Sequence, residues 1–70
     1  MSGDLVIKFG QRVRVERVKL GLSQEELGTK AGVHRTYLGM IERAEKNITI
    51  ENIEKIAKAL GKAPDFLLRP

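Results

Sequence analysis

One short run of the chain brings together a guanidinium, a hydroxyl, a phenol and a thioether within two helical turns. The planar guanidinium of Arg35 can donate two hydrogen bonds at once, to O6 and N7 of guanine. Thr36 offers a methyl group for thymine and a hydroxyl for a base or a phosphate, and Met40 could contact a thymine methyl. Tyr37 could bind a phosphate or pack its ring on a neighbouring helix, and Gly39 would let the helix backbone approach a groove closely. These groups favour binding to nucleic acid.

The spacing around this run predicts a helix-turn-helix. Ser23 and Glu26 form a capping box, in which each side chain accepts a backbone N–H, at the start of a helix over residues 24–31. Gly32 permits the sharp turn, and a second helix follows and ends near residues 43–46. Such a pair presents the first residues of its second helix outward. The groups able to contact bases are therefore predicted at an exposed helix start.

Three further helices are predicted around this pair, which gives an all-α fold of five helices. The first runs over residues 4–20, with Asp4 as its N-cap. The fourth follows the N-cap Thr49, and the fifth is a turn or two that starts at Pro64. Glycines that can adopt a left-handed cap end the first, second and fourth helices at Gly21, Gly32 and Gly61.

The apolar stripe of the first helix contains an arginine. Arg17 stands four residues after Val13 and three before Leu20, so either the stripe is interrupted or the arginine is buried with a partner. Val15 and Val18 lie on the other side, either exposed singly or part of a contact surface. The apolar stripes of the first and fourth helices comprise Val6, Phe9, Val13, Leu20, Ile50, Ile53, Ile56, Ala57 and Leu60.

The composition argues against several classes of function. Seventy residues suffice for one domain, predicted over residues 1–70. One histidine and no cysteine argue against a metal centre, and so short a chain argues against an enzyme pocket. The longest apolar run, residues 5–7, is far shorter than the roughly 20 residues of a membrane span. A net charge of +4 suits a polyanionic partner, and we expect a cytoplasmic protein without cofactor or small-molecule ligand.

Three segments carry a family likeness: GLSQEEL at 21–27, AGV at 31–33 and YLGMIER at 37–43. With them, the sequence resembles the XRE family of phage-repressor-like helix-turn-helix proteins over roughly residues 8–68. Within that family it is most similar to the controller proteins of restriction-modification systems. The resemblance implies a lambda-repressor-like fold and a homodimer that binds a pseudo-palindromic operator on double-stranded DNA. It also implies a bacterial or phage transcription regulator associated with the nucleoid, whether activator or repressor.

The resemblance also implies roles for individual residues. It pairs Arg17 with Glu42 and places an apolar residue where this chain has Glu16. His34 stands where a serine or threonine cap is usual, and could cap weakly or touch a phosphate. The residues implied to contact bases are Arg35, Thr36 and Met40, and those implied to lie along the DNA backbone are Gln24, Arg43, Lys46 and Asn47. The chemistry of their side chains adds His34 and Tyr37 to the predicted backbone contacts.

Other surfaces are predicted to bind proteins. The last helix has more apolar bulk than one small core needs, so a dimer face is predicted at Ile48, Ile50, Phe66 and Leu67, with Phe66 or Leu67 completing the core. In the controller subgroup, Glu25 and Glu26 could face RNA polymerase. Two alternatives stay open: an antitoxin-type or protein-interaction module with the same fold, and a nonspecific nucleic-acid binder.

Overall fold

Five α-helices joined by short turns account for most of residues 2–69, the part of the chain that the computed structural model describes, with side chains from residue 3 onward. No strand occurs within this range, which confirms the all-α prediction. Met1 and Pro70, both inside the predicted 1–70 domain, lie outside the described residues. Within the described range, the structure contains no helix with the length and apolar character needed to cross a membrane. The helices are α1 (Ser2–Lys19), α2 (Gln24–Ala31), α3 (Arg35–Glu42), α4 (Ile50–Leu60) and α5 (Pro64–Leu68).

The predicted N-caps of α2 and α4 are present. The Ser23 hydroxyl accepts the backbone N–H of Glu26 at 3.0 Å, and the Glu26 carboxylate accepts the backbone N–H of Ser23 at 2.8 Å. The Thr49 hydroxyl accepts the backbone N–H of Asn52 at 3.1 Å. These bonds satisfy amides that have no partner inside their own helix. The three glycines predicted to end helices have left-handed φ angles, namely Gly21 (71°), Gly32 (77°) and Gly61 (71°).

One predicted cap was wrong, and two members of the predicted apolar stripes, Leu20 and Ile50, lie outside the core. Asp4 is not an N-cap, because α1 already begins at Ser2, and Asp4 lies in its first turn. Leu20 is half exposed and lies just after the last residue of α1, Lys19. Ile50 is 78% exposed at the first position of α4, on the side facing away from the core. These two residues, each at one end of an apolar stripe predicted from helical periodicity, are therefore exposed here rather than buried.

The core lies where all five helices meet. Val15 and Val18 are exposed and take no part in it. The largest fully buried side chains are Phe9 and Val13 of α1, Leu27 of α2, Leu38 and Ile41 of α3, Ile56 of α4, and Leu67 of α5.

Two glycines allow other helices to lie close to α3 and its preceding turn. A Cβ at Gly10 of α1 would overlap the carbonyl oxygen of Ile41, so the α1 backbone touches the end of α3. A Cβ at Gly28 of α2 would lie 2.6 Å from the carbonyl oxygen of Val33 and 3.3 Å from the backbone nitrogen of Arg35. Direct backbone contact thus positions both ends of α3 against the neighbouring helices.

Candidate nucleic-acid interface

The start of α3 is capped by a histidine. The Nδ1 atom of His34 accepts the backbone N–H of Thr36 at 3.0 Å, so the imidazole does the work usually done by a hydroxyl. His34, Arg35 and Thr36 are all exposed, so the first turn of α3 presents two of the predicted base-contacting side chains to solvent.

Arg35 has one charged neighbour across the turn. Its Nη1 atom lies 3.4 Å from Oε1 of Glu25 in the first turn of α2, and the two side chains are 63% and 70% exposed. An exposed pair of this kind adds at most about 1 kcal/mol to stability. The guanidinium therefore stays largely available to a ligand.

The far end of α3 is held by a buried carboxylate. Glu42 accepts hydrogen bonds from Nε of Arg17 at 2.7 Å, from Nη2 of Arg17 at 3.1 Å and from Nε2 of Gln24 at 3.0 Å. Arg17 donates a further bond to the carbonyl of Leu22 at 2.8 Å. The Arg17 and Glu42 side chains are 13% and 3% exposed. We call Arg17, Gln24 and Glu42 the Glu42 cluster; it joins α1, α2 and α3 and accounts for the arginine in the α1 stripe.

Gly39 has a different role from the one predicted. It is buried, and a Cβ there would lie 3.2 Å from Oε1 of Gln24 and 3.1 Å from Nη1 of Arg43. The helix backbone is therefore covered by these two side chains and is not left open to a groove. Arg43 is also paired with Glu45 at 3.1 Å. Gln24 and Arg43, both predicted to contact phosphates, consequently lie together over the middle of α3.

Tyr37 connects α3 to α4. Its ring packs against the core, and its hydroxyl accepts a hydrogen bond from the side-chain amide of Asn52 at 3.0 Å. The phenol keeps its own proton to donate, so a phosphate contact stays possible alongside the packing role that the sequence left open. Met40 is half-buried, and Lys46 and Asn47 are exposed in the loop after α3. Sequence reasoning missed Asn52, because the pairing joins residues of different helices.

Glu16 is buried in α1, where the resemblance implied an apolar residue. Its side chain is 7% exposed, and its two carboxylate oxygens lie 3.5 Å from Nζ of Lys19 and 3.8 Å from Nζ of Lys62. Two lysines at the rim of the core thus offset a charge that would otherwise be costly to bury.

The predicted dimer face is changed by the structure. Leu67 is fully buried in the core, so it offers no surface to a partner and its place in that face was wrong. Phe66 is half-buried, with Arg12, Lys62 and Arg69 lying 5.1, 5.0 and 5.8 Å from its ring centre. Ile50 is exposed and Ile48 half-buried. Beside Ile48 opens a groove of about 230 Å³, lined by Leu5, Val6, Phe9, Asn47, Ile48, Ile53 and Leu68.

Comparison with known proteins identifies the family. The family model described as Helix-turn-helix (HTH_3) matches residues 13–67. The control protein C.BamHI of Bacillus amyloliquefaciens is 46% identical over 69 residues, which covers 97% of this chain and 85% of that protein. The crystal structure of the restriction-modification controller protein C.AhdI from Aeromonas hydrophila superposes with a TM-score of 0.86 at 45% identity, covering 89% of this chain and 94% of that one.

A phage repressor gives a further match. The P22 c2 repressor, in a crystal structure with a synthetic operator, superposes with a TM-score of 0.82 at 38% identity and covers 87% of this chain and 92% of that one. These matches confirm the predicted family and the prediction that the chain is not an enzyme. The chain belongs to the HTH_3 helix-turn-helix family of DNA-binding transcription regulators, to which restriction-modification control proteins and phage repressors are related.

Proposed function

We propose that this chain binds a pseudo-palindromic DNA operator as a homodimer and so controls transcription of restriction-modification genes. The observation that carries the proposal is the start of α3, where a capped helix directs Arg35 and Thr36 outward while the Glu42 cluster fixes its far end. One structural relative is a restriction-modification controller protein, and another was crystallised with an operator.

In this proposal α3 reads bases and its neighbours bind phosphates. Arg35, Thr36 and Met40 enter the major groove, where Arg35 recognises a guanine with two hydrogen bonds. The proposed backbone contacts surround α3 in space: Gln24 and Arg43 lie over Gly39, and Lys46 follows in the loop. The full set proposed to contact the DNA backbone is Gln24, His34, Tyr37, Arg43, Lys46 and Asn47.

The proposed dimer face combines the exposed Ile50 of α4 with the half-buried Ile48 and Phe66 and part of α1. Ile50 is 78% exposed, and Ile48 lines the same groove as the half-exposed Leu5. Pairing two copies would cover this apolar surface and place two recognition helices about 34 Å apart, one for each half-site. Phe66 stays in the proposed face at its edge. A possible polymerase contact of Glu25 and Glu26 stays a prediction.

A binding experiment tests the operator proposal. Fluorescence anisotropy with duplexes from upstream of the chain's own gene should show a preference of at least about a thousandfold over random duplex. Arg35→Ala should lower discrimination at one guanine in each half-site by about five- to a hundredfold. Unchanged base preference would remove Arg35 from the readout, and equal affinity for all duplexes would overturn operator binding.

Sedimentation tests the dimer. The chain should sediment at twice its 7.8 kDa mass at tens of micromolar, and Ile50→Lys should shift it to monomer without loss of helix content. A wild-type chain that is monomeric on its own and on operator DNA would contradict the proposed dimer.

A further inference from the structure

We infer that Glu25 is a positioning residue for Arg35, so that reading of a base by α3 depends on a carboxylate supplied by α2. The inference rests on the operator binding proposed above. Glu25 was predicted from sequence only as a contact for polymerase, whereas the structure places its carboxylate 3.4 Å from the Arg35 guanidinium.

The backbone fixes this neighbourhood. Gly28 lies one helical turn after Glu25, on the same face of α2, and a Cβ there would lie 2.6 Å from the carbonyl oxygen of Val33 and 3.3 Å from the backbone nitrogen of Arg35. Glu25 therefore belongs to the face of α2 that looks towards the start of α3. The Arg35 side of the pair is held by the helix cap. The hydrogen bond from the Thr36 N–H to His34 holds the backbone from which the Arg35 side chain extends.

The contact leaves the guanidinium able to bind a base. One hydrogen bond joins the Nη1 atom of Arg35 to Glu25, and a guanidinium carries five N–H groups in a planar fork. Reading a guanine uses two of them, so Glu25 and a base can be bound at the same time. Without this bond the long, exposed Arg35 side chain would sample many rotamers. The Glu25 carboxylate reduces the number of rotamers before DNA binds.

Among the residues that the structure describes, Glu25 is the one carboxylate that lines the groove around Arg35. The other lining residues are Thr29, Val33 and His34. Both partners are largely exposed, so the pair adds little to folding stability. Its effect is expected in the orientation of Arg35, and hence in sequence discrimination.

The test uses Glu25→Gln, which keeps the shape of the side chain and removes its charge. Affinity is measured for the operator and for duplexes changed at the base pair that Arg35→Ala identifies. We expect the discrimination ratio to fall by about three- to tenfold, while affinity for all duplexes rises slightly because a negative charge near the phosphates is lost. The thermal unfolding midpoint should stay unchanged.

Glu45→Gln is the matched control. Glu45 pairs with Arg43 in the loop after α3, so its neutralisation also removes a negative charge near the proposed DNA surface but leaves Arg35 untouched. Its discrimination ratio at the Arg35 base pair should equal that of the wild type. An equal fall in both variants would assign the effect to general charge and overturn the inference.

A double variant separates this inference from the proposed function. In the Arg35→Ala background, Glu25→Gln should change the ratio no further, because it acts through Arg35. If Arg35→Ala itself leaves base preference unchanged, the proposed readout fails and the inference fails with it. If Arg35→Ala lowers the ratio and Glu25→Gln does not, or if the double variant lowers it further, the positioning role alone is overturned.

Discussion

The two ends of α3 each carry an arginine–glutamate pair, and the two pairs differ in almost every respect. At the buried end, Arg17 and Glu42 meet at 2.7 Å with little exposure and share further hydrogen bonds. At the exposed end, Arg35 and Glu25 meet at 3.4 Å, both largely in solvent. The same two residue types thus hold a helix in place at one end and, in our proposal, prepare it to bind DNA at the other.

Burial decides between these roles. A buried ion pair is costly to break, because removing one partner leaves a charge without water or counter-charge. An exposed pair exchanges readily with water and can accept a new ligand at little cost. In our proposal α3 uses both kinds of ion pair. The buried pair fixes the position of the helix, and the exposed pair leaves its base-contacting side chains free.

The largest effect should come from breaking the buried pair. Arg17→Met should lower the free energy of unfolding by about 3–5 kcal/mol, because Glu42 would stay buried without its counter-charge. Urea unfolding followed by circular dichroism measures the loss. Arg35→Met is the matched control at the exposed end and should change stability by less than about 1 kcal/mol. Equal losses in the two variants would remove the distinction between the pairs.

Two glycines extend the comparison to the backbone. Gly28→Ala should cost about 1–3 kcal/mol, since its new methyl group meets the Val33 carbonyl and the turn before α3 must shift. Gly39→Ala meets side-chain atoms of Gln24 and Arg43 rather than backbone, so it should cost less than Gly28→Ala and change stability by at most about 1 kcal/mol. Its affinity for DNA should nevertheless fall as those two side chains move. A larger stability loss for Gly39→Ala than for Gly28→Ala would contradict the packing described.

The cap of α3 should have a smaller effect. His34→Ala removes the acceptor for the Thr36 N–H and should cost about 1 kcal/mol. His34→Asn supplies another acceptor and should restore most of that loss in a thermal melt. If asparagine proves no better than alanine, the imidazole stabilises the turn by something other than capping.

The smallest effect concerns a cation of the loop after α3. Lys46→Ala should weaken binding to all duplexes alike and reduce the slope of log K against log salt by about one. Its stability should be unchanged because the side chain is exposed. A change in base preference without a change in slope would place Lys46 among the base-reading residues instead.

Local chemistry made much of the fold predictable. The capping box at Ser23 and Glu26, the Thr49 cap and the helix-ending glycines each depend on residues within one turn of each other. The predictions failed at helix ends whose exposure depends on contacts with distant parts of the chain. Ile50 continues the α4 stripe in the sequence, yet at the first position of that helix it is exposed, since none of the other elements that the structure describes buries it.

The candidate site was less accessible to sequence reasoning. Gly39 is covered by Gln24, fifteen residues earlier, and a glycine in a sequence does not reveal what fills the space beside it. Glu16 is approached by Lys62, far along the chain, as well as by Lys19 one turn away. The link from Tyr37 to Asn52 joins two helices in the same way. Such contacts depend on the packed arrangement and leave no local signal.

The Glu42 cluster has a consequence for how the molecule opens. Its carboxylate takes donors from α1 and α2 while belonging to α3, so no one of these helices can detach without leaving a charged group short of partners. We therefore expect partial opening near this cluster to be disfavoured and the three helices to unfold as one unit. In hydrogen exchange, the central amides of α1 and α3 should share one opening free energy, close to that of global unfolding.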